Sequence, residues 1–119
     1  MLQDDEELVG KFAHDFYTTL FSHPAVGGIV MWGFWDNDHW KNNSPMYRKD
    51  WSLKPAGKAY KDLVLGQWIT NVQGQTDATG NYATRGFLGD YEVTVKAAGK
   101  QKTVGATLGS AGKQLDVNL

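Results

Sequence analysis

Three tryptophans, two aspartates and a histidine crowd the stretch Trp32-Gly-Phe-Trp-Asp-Asn-Asp-His-Trp40, directly after the apolar run Ile29-Val-Met31. A buried strand needs Ile29, Val30 and Met31, but it does not need Trp32, Trp35 and Trp40 interleaved with Asp36, Asp38 and His39. An indole offers a flat apolar face that matches the C–H face of a pyranose ring, whose hydroxyls then need polar partners close by. The pattern therefore suggests a sugar-binding surface with Trp32, Trp40 and Trp35 as its aromatic platform and Asp36 and His39 as its polar partners. For Trp32 the alternative is a core indole that caps the end of a strand. Trp35 and Trp51 also fit a structural plug beside helix packing, and Trp51 is read as core.

The carboxylates invite a stronger chemistry that their spacing does not support. Asp36 and Asp38 are near neighbours in one loop with no third ligand spaced for a metal, so turn and cap roles are preferred to ligation. A retaining glycosidase needs carboxyls about 5–5.5 Å apart on opposite sides of a bound sugar, which loop neighbours do not provide. No catalytic residue, metal ligand or cofactor is assigned. His14 falls on an exposed helix flank, and His23, before Pro24, is expected to cap a helix end. Nucleophile triads and phosphate loops have no counterpart in the sequence.

These residues need elements to hold them. Asp4 to Phe21 reads as an amphipathic helix with Leu8, Phe12, Ala13 or Phe16, and Leu20 on one face, and with Asp4, Asp5, Glu6 and Glu7 at the positive end of its dipole. Gly27-Gly28 turns the chain into an apolar strand, Ile29 to Gly33, of the kind buried on both faces. A long loop, Phe34 to Ser52, follows, and Pro55 opens a helix over Ala56 to Leu65. From about Gln67 the texture changes to short alternating runs broken by turn signals: 68–73, 81–85, 90–96, 101–108 and 114–119. Five short strands of this kind argue a small antiparallel β-sandwich.

The first half also carries a family resemblance. His23-Pro-Ala-Val-Gly-Gly-Ile-Val-Met-Trp-Gly-Phe-Trp-Asp36, then Trp40, then Asp50-Trp-Ser-Leu-Lys-Pro-Ala-Gly-Lys-Ala-Tyr60, resembles the last βα unit of glycoside hydrolase family 10, the endo-β-1,4-xylanases. That family's (β/α)8 barrel takes about 250 residues, and this chain has 119. The resemblance thus implies an α+β chain: residues 1–66 as the last βα portion of a barrel (helix, strand, long loop, helix), and residues 67–119 as a small antiparallel β-sandwich. The pattern Val72-x-Gly74-x-Thr76-Asp77-x-x-Gly80-x-Tyr82, followed by Arg85-Gly-Phe87 and Tyr91-x-Val93-x-Val95, is similar to prealbumin-like sandwiches. Positions matching the family's catalytic carboxylates would precede Met1. The implied function is a carbohydrate-active piece that binds β-1,4-xylan or a related β-glucan without its own catalytic pair. Two alternatives stand beside it: part of an active endo-1,4-β-xylanase whose catalytic residues lie on another segment, and a purely structural accessory domain.

Acidic and basic residues nearly balance, at a formal net charge of −1, so nucleic acid and anionic membranes are not expected partners. Cysteine is absent, which excludes disulfides and thiol catalysis. Met1 to Glu7 is acidic and unlike a signal peptide, and an extracellular or periplasmic location follows from the resemblance alone. A lone buried-type strand leaves both edges unpaired, so the isolated chain is expected to form a homo-oligomer or a strand-exchanged dimer. The sandwich, near the lower size limit for independent folding, is expected to lean on the helical half through Trp68, Phe87 and Leu88.

Overall fold

The computed structural model describes residues 3–41 and 44–119. Positions 42 and 43 of the long loop, and Met1 and Leu2, lie outside the described residues. The chain divides into two units, Met1–Ile69 and Thr70–Leu119.

In the first unit, helix α1 spans Gln3–Ser22, and helix α2 spans Pro55–Asp62 before widening into one π turn, Leu63–Gln67. Pro55 occupies the first turn of α2, where its missing N–H costs no intrahelical bond. The two helices meet where α1 carries small residues. A side chain added at Gly10 would lie 2.7 Å from the Pro55 ring, Ala13 is buried, and the Tyr17 and Tyr60 rings meet edge to face at 5.8 Å. The face of α1 that packs on α2 therefore runs through Gly10, Ala13 and Tyr17. Leu8, Phe12 and Phe16, expected to face the core, form instead a second, exposed apolar strip, along which the Phe12 and Phe16 rings stack at 5.7 Å. Close helix approach requires the small residues, and that geometry turns the bulky ones away.

The core of this unit centres on Leu63, which is 1% exposed, with Met46 and Ala56. Trp68 stacks on Phe21 at 3.9 Å with the rings 7° from parallel, tying the chain after α2 to the end of α1. Arg48 reaches back from the long loop to Glu6 on α1, with Nε and Nη2 each donating to one carboxylate oxygen. Such a fork orients as well as attracts. The His23 backbone N–H donates to the Leu20 carbonyl at 3.2 Å. Its ring serves the following turn by accepting from the Ala25 N–H at 3.2 Å, rather than capping the helix.

Residues 29–33 depart from the expected strand. They run without a ladder, and Val30 is 97% exposed. Strand structure is a property of a pair, and among the described residues nothing pairs with this segment.

In the second unit, β1 (Gly89–Ala97) and β2 (Lys100–Leu108) form an antiparallel hairpin with Val93 opposite Val104 and Tyr91 opposite Ala106. Alternate residues Tyr91, Val93 and Val95 are half-buried, as are Val104, Ala106 and Leu108. Ala98 and Gly99 close the hairpin at φ 48° and 77°, the signature of a type I′ turn. Alanine pays for left-handed geometry with a Cβ clash. Ala98→Asn is expected to raise the stability of this hairpin by about 0.5–1 kcal/mol, read as slower amide exchange along β1 and β2.

The strands expected at 68–73, 81–85 and 114–119 do not form ladders among the described residues, and the sheet seen there has two strands. Two local contacts fix the chain ahead of the hairpin. The Tyr91 hydroxyl donates to the Phe87 carbonyl at 2.6 Å, four residues upstream, in the manner of a tyrosine corner. A side chain at Gly86 would collide with that hydroxyl. Asp77 organises the preceding loop, its Oδ1 accepting from the Asn81 N–H at 2.9 Å, the Thr79 hydroxyl at 2.7 Å and the Thr79 N–H at 2.9 Å. Those donors, led by the Asn81 amide, hold the Asp77 carboxyl below its ordinary value. A carboxylate with a lowered value contributes stability above the ordinary carboxylate range and loses it as pH falls through the lowered value. The Thr79 and Asn81 amides are thus expected to remain protected from exchange at pH 5 and to lose protection only below the usual aspartate titration.

Candidate functional site

The long loop is built on a small three-segment frame. Trp35 bridges Tyr47 in parallel, and Tyr47 bridges Leu53 in antiparallel fashion. The Tyr47 N–H donates to the Phe34 carbonyl at 2.9 Å, and the Asp36 N–H to the Tyr47 carbonyl at 3.0 Å. Around this frame the aromatics sort into two groups.

Trp35 belongs to the inner group. Its ring stacks on Trp51 at 4.7 Å and 13°, its Nε1 donates to the Lys49 carbonyl at 3.3 Å, and Phe34 and Tyr47 close the cluster from the sides. Trp51, expected in the core, is only part-covered and sits at φ 66°. A tight turn imposes that conformation: the Trp51 N–H donates to the Arg48 carbonyl at 2.9 Å, and the Arg48 N–H to the Ser52 carbonyl at 2.9 Å. Asp50 secures the same turn by accepting from the Ser52 hydroxyl at 2.6 Å and the Ser52 N–H at 3.0 Å. These bonds hold the Asp50 carboxyl below the ordinary range.

Trp32 and Trp40 form the outer group, 85% and 77% exposed. The His39 ring links the backbone at Trp32 to that at Lys41, next to Trp40. Its Nε2 lies 2.6 Å from the Trp32 carbonyl, and its Nδ1 lies 3.1 Å from the Lys41 N–H. The Trp32 carbonyl can only accept, so Nε2–H donates to it, and Nδ1 also lies 3.0 Å from the Lys41 carbonyl. Gly33, at φ 90°, makes room for this clasp, since a Cβ there would stand 2.5 Å from His39 Cδ2. The His39 ring lies nearly parallel to Trp40, 6.4 Å away, and the Lys41 ammonium sits 5.5 Å from the Trp40 ring centre. One indole face is therefore engaged by a cation while the residue as a whole stays open to solvent.

Asp36 is half-buried and does not reach out to solvent freely. Its Oδ1 accepts from Lys54 Nζ at 2.7 Å, and the Lys54 residue is 3% exposed. No group of three or more His, Cys, Asp or Glu residues able to hold a metal occurs among the described residues. Of the residues singled out in the sequence, His39 clasps the Trp32 backbone and lies beside Trp40, whereas Trp35 and Asp36 belong to the three-segment frame. Gly33 and Lys54, which help to build this loop, were not singled out in the sequence. The Trp-Gly pair was a usable sign for the first, but nothing in the sequence joins Lys54 to Asp36 across eighteen positions.

Comparison with known proteins gives similarity to two differently named groups. The anti-sigma-I factor RsgI6 of Acetivibrio thermocellus is 43% identical over 89 residues, which are 74% of this chain and 12% of that protein. Endo-1,4-beta-xylanase 1 of Arabidopsis thaliana is 33% identical over 84 residues, 71% of this chain and 9% of the enzyme. Endo-1,4-beta-xylanase 2 of the same plant is 33% identical over 75 residues, 63% of this chain and 7% of the enzyme. The chain thus spans about a tenth of the length of the curated relatives it matches. No family model and no solved structure matches. Stretches of 89 and 84 residues in a chain of 119 necessarily share its middle, where Trp40, Trp51 and α2 lie.

Proposed function

We propose that this chain is a carbohydrate-binding piece of the xylanase lineage, taking β-1,4-xylan or a related β-glucan on the exposed indoles of Trp32 and Trp40, with no catalytic carboxylate pair of its own. The single observation that carries the reading is the His39 clasp. It holds two tryptophans, both more than three-quarters exposed, on one built loop. Exposed indoles offer flat apolar faces that a sugar ring would cover. Similarity to endo-1,4-beta-xylanases supports a β-linked pentose or hexose polymer as that ligand. Two of the three loop carboxylates are already engaged, Asp36 with Lys54 and Asp50 with Ser52, which favours recognition over hydrolysis. The same middle segment resembles a protein named for anti-sigma activity and others named for hydrolysis. A binding role is the part that two such functions have most easily in common.

As to fold, residues 1–66 act as the last βα portion of a family 10 barrel and residues 67–119 as a prealbumin-like sandwich. The exposed Leu8, Phe12 and Phe16 strip of α1 supports the first reading, as does the segment 29–33, which forms no ladder, since a barrel helix covers a sheet and a barrel strand has two neighbours. The tyrosine-corner contact of Tyr91 supports the second. In a longer chain the same platform would form one wall of an active xylanase cleft, and an extracellular or periplasmic setting goes with that substrate. On its own, the 119-residue chain is expected to cover its apolar strip by self-association. Light scattering should return a mass of two or more copies. A stable monomer would count against the barrel reading.

Affinity electrophoresis on soluble xylan and on β-glucan, with reducing-sugar release followed in the same samples, tests the function. Retardation without release is the expected result. Release would reveal a carboxylate pair in the chain, and neither effect would leave a scaffold role.

A further inference from the structure

Lys54 is the buried charged residue among those described, at 3% exposed, and neither the platform nor the helix packing accounts for its ammonium. A lysine leaves water at a large cost unless a partner compensates. Its partner is Asp36 Oδ1, 2.7 Å away. The backbones of both residues are fixed to the same short segment. The Asp36 N–H donates to the Tyr47 carbonyl at 3.0 Å, and the Lys54 N–H donates to the Met46 carbonyl at 2.8 Å. Lys54 also begins α2, with its carbonyl accepting from the Lys58 N–H at 2.9 Å. The ion pair therefore crosses over residues 46–47 and joins the first turn of α2 to the root of the aromatic loop. Asp36 follows Trp35, whose ring stacks on Trp51, and precedes His39 by one short helical turn, Asp36–Asp38.

We infer that Lys54 is a positioning residue for the tryptophan platform: through Asp36 it sets the start of the 36–38 turn, and with it the His39 clasp that carries Trp32 and Trp40. This deepens the carbohydrate-binding reading and rests on it. The pair is specific as well as close. An ammonium on a four-carbon stem reaches Asp36 from beneath the loop, and with Asp36 itself only part-exposed, the carboxylate left behind by a missing ammonium would draw towards solvent and take the turn with it.

The test uses the full chain carrying Lys54→Met, Asp36→Asn and the double substitution, with soluble xylan as probe. Lys54→Met is expected to weaken retention at least tenfold and to change the near-ultraviolet circular dichroism of the Trp35–Trp51 stack. The double substitution, which removes the orphaned carboxylate, should recover much of both signals. A lysine that serves only as packing would show no such rescue, since methionine already supplies the stem. Equal retention by Lys54→Met and the parent overturns the inference, and so does a double variant no better than the single one. If Lys54→Met fails to fold, Asp36→Asn carries the test: a change in the aromatic signal is expected, and an unaltered signal sinks the idea. If the parent chain itself ignores xylan and β-glucan, the binding reading falls. The aromatic signal then still decides whether Lys54 positions the loop.

Discussion

Trp32→Ala and Trp40→Ala are each expected to weaken retention on soluble xylan by about 10- to 100-fold, the usual size for losing a central aromatic anchor of about 2 kcal/mol, and together to abolish it. The same substitutions should leave the thermal midpoint nearly unchanged. Both side chains are largely in water, and surface changes of this kind stay within about 0.5 kcal/mol. That separation of affinity from stability is the informative outcome. Trp35→Ala is the contrasting variant, because its ring stacks on Trp51 at 4.7 Å and holds the inner cluster together. It should lower stability and binding in parallel. If Trp32→Ala and Trp40→Ala melt early instead, those indoles are covered in solution by something other than sugar, and the platform reading fails. If they neither melt early nor lose xylan, the polymer binds elsewhere on the chain. Lys41→Ala adds a finer measurement, since the ammonium near the Trp40 ring leaves less of that face to a sugar; its removal should not weaken retention.

How much of this was legible beforehand depends on how far apart in the chain the determinants lie. Helices were readable because their hydrogen bonds are local: the expected 4–21 and 56–65 correspond to α1 at Gln3–Ser22 and α2 at Pro55–Asp62 with its π turn. The hairpin was readable too, because alternation over 90–96 and 101–108 brackets a two-residue turn. Alternation alone could not place 68–73, 81–85 and 114–119 in a sheet, since a strand exists only where a partner lies beside it. The side of α1 that meets α2 was misjudged for a related reason. Hydrophobicity ranked Phe12 and Phe16 above Gly10, whereas helix approach is decided by what is small. In the site, the outer tryptophans were evident from residue type. The clasp beneath them was not, because His39 acts through the backbone carbonyl of Trp32 and through space that only a glycine leaves open. Backbone acceptors have no sequence signature.

That last dependence yields the sharpest test of the site's construction. Gly33→Ala is expected to reduce stability by about 2 kcal/mol or more and to cut xylan retention at the same time, although residue 33 offers a ligand no side chain. Two effects combine. Gly33 sits at φ 90°, outside the range an alanine adopts comfortably, and the new Cβ would lie 2.5 Å from His39 Cδ2, too close for both to stay. Moving the imidazole breaks its 2.6 Å hydrogen bond to the Trp32 carbonyl, itself a contribution of about 1 kcal/mol, and unties the Trp32 backbone from the Lys41 end of the loop. Gly28→Ala is the matched control, because a Cβ there meets nothing within 4 Å and its φ lies outside the glycine-favouring range; it should behave as the parent does. Gly33→Ala combined with His39→Ala separates the two effects. The steric conflict disappears, so stability should recover in part, but the clasp is gone, so xylan retention should stay low. Recovery of binding in that double variant would mean that the tryptophans find their places without His39, and the platform would then be a property of the loop backbone rather than of the imidazole that now bridges it.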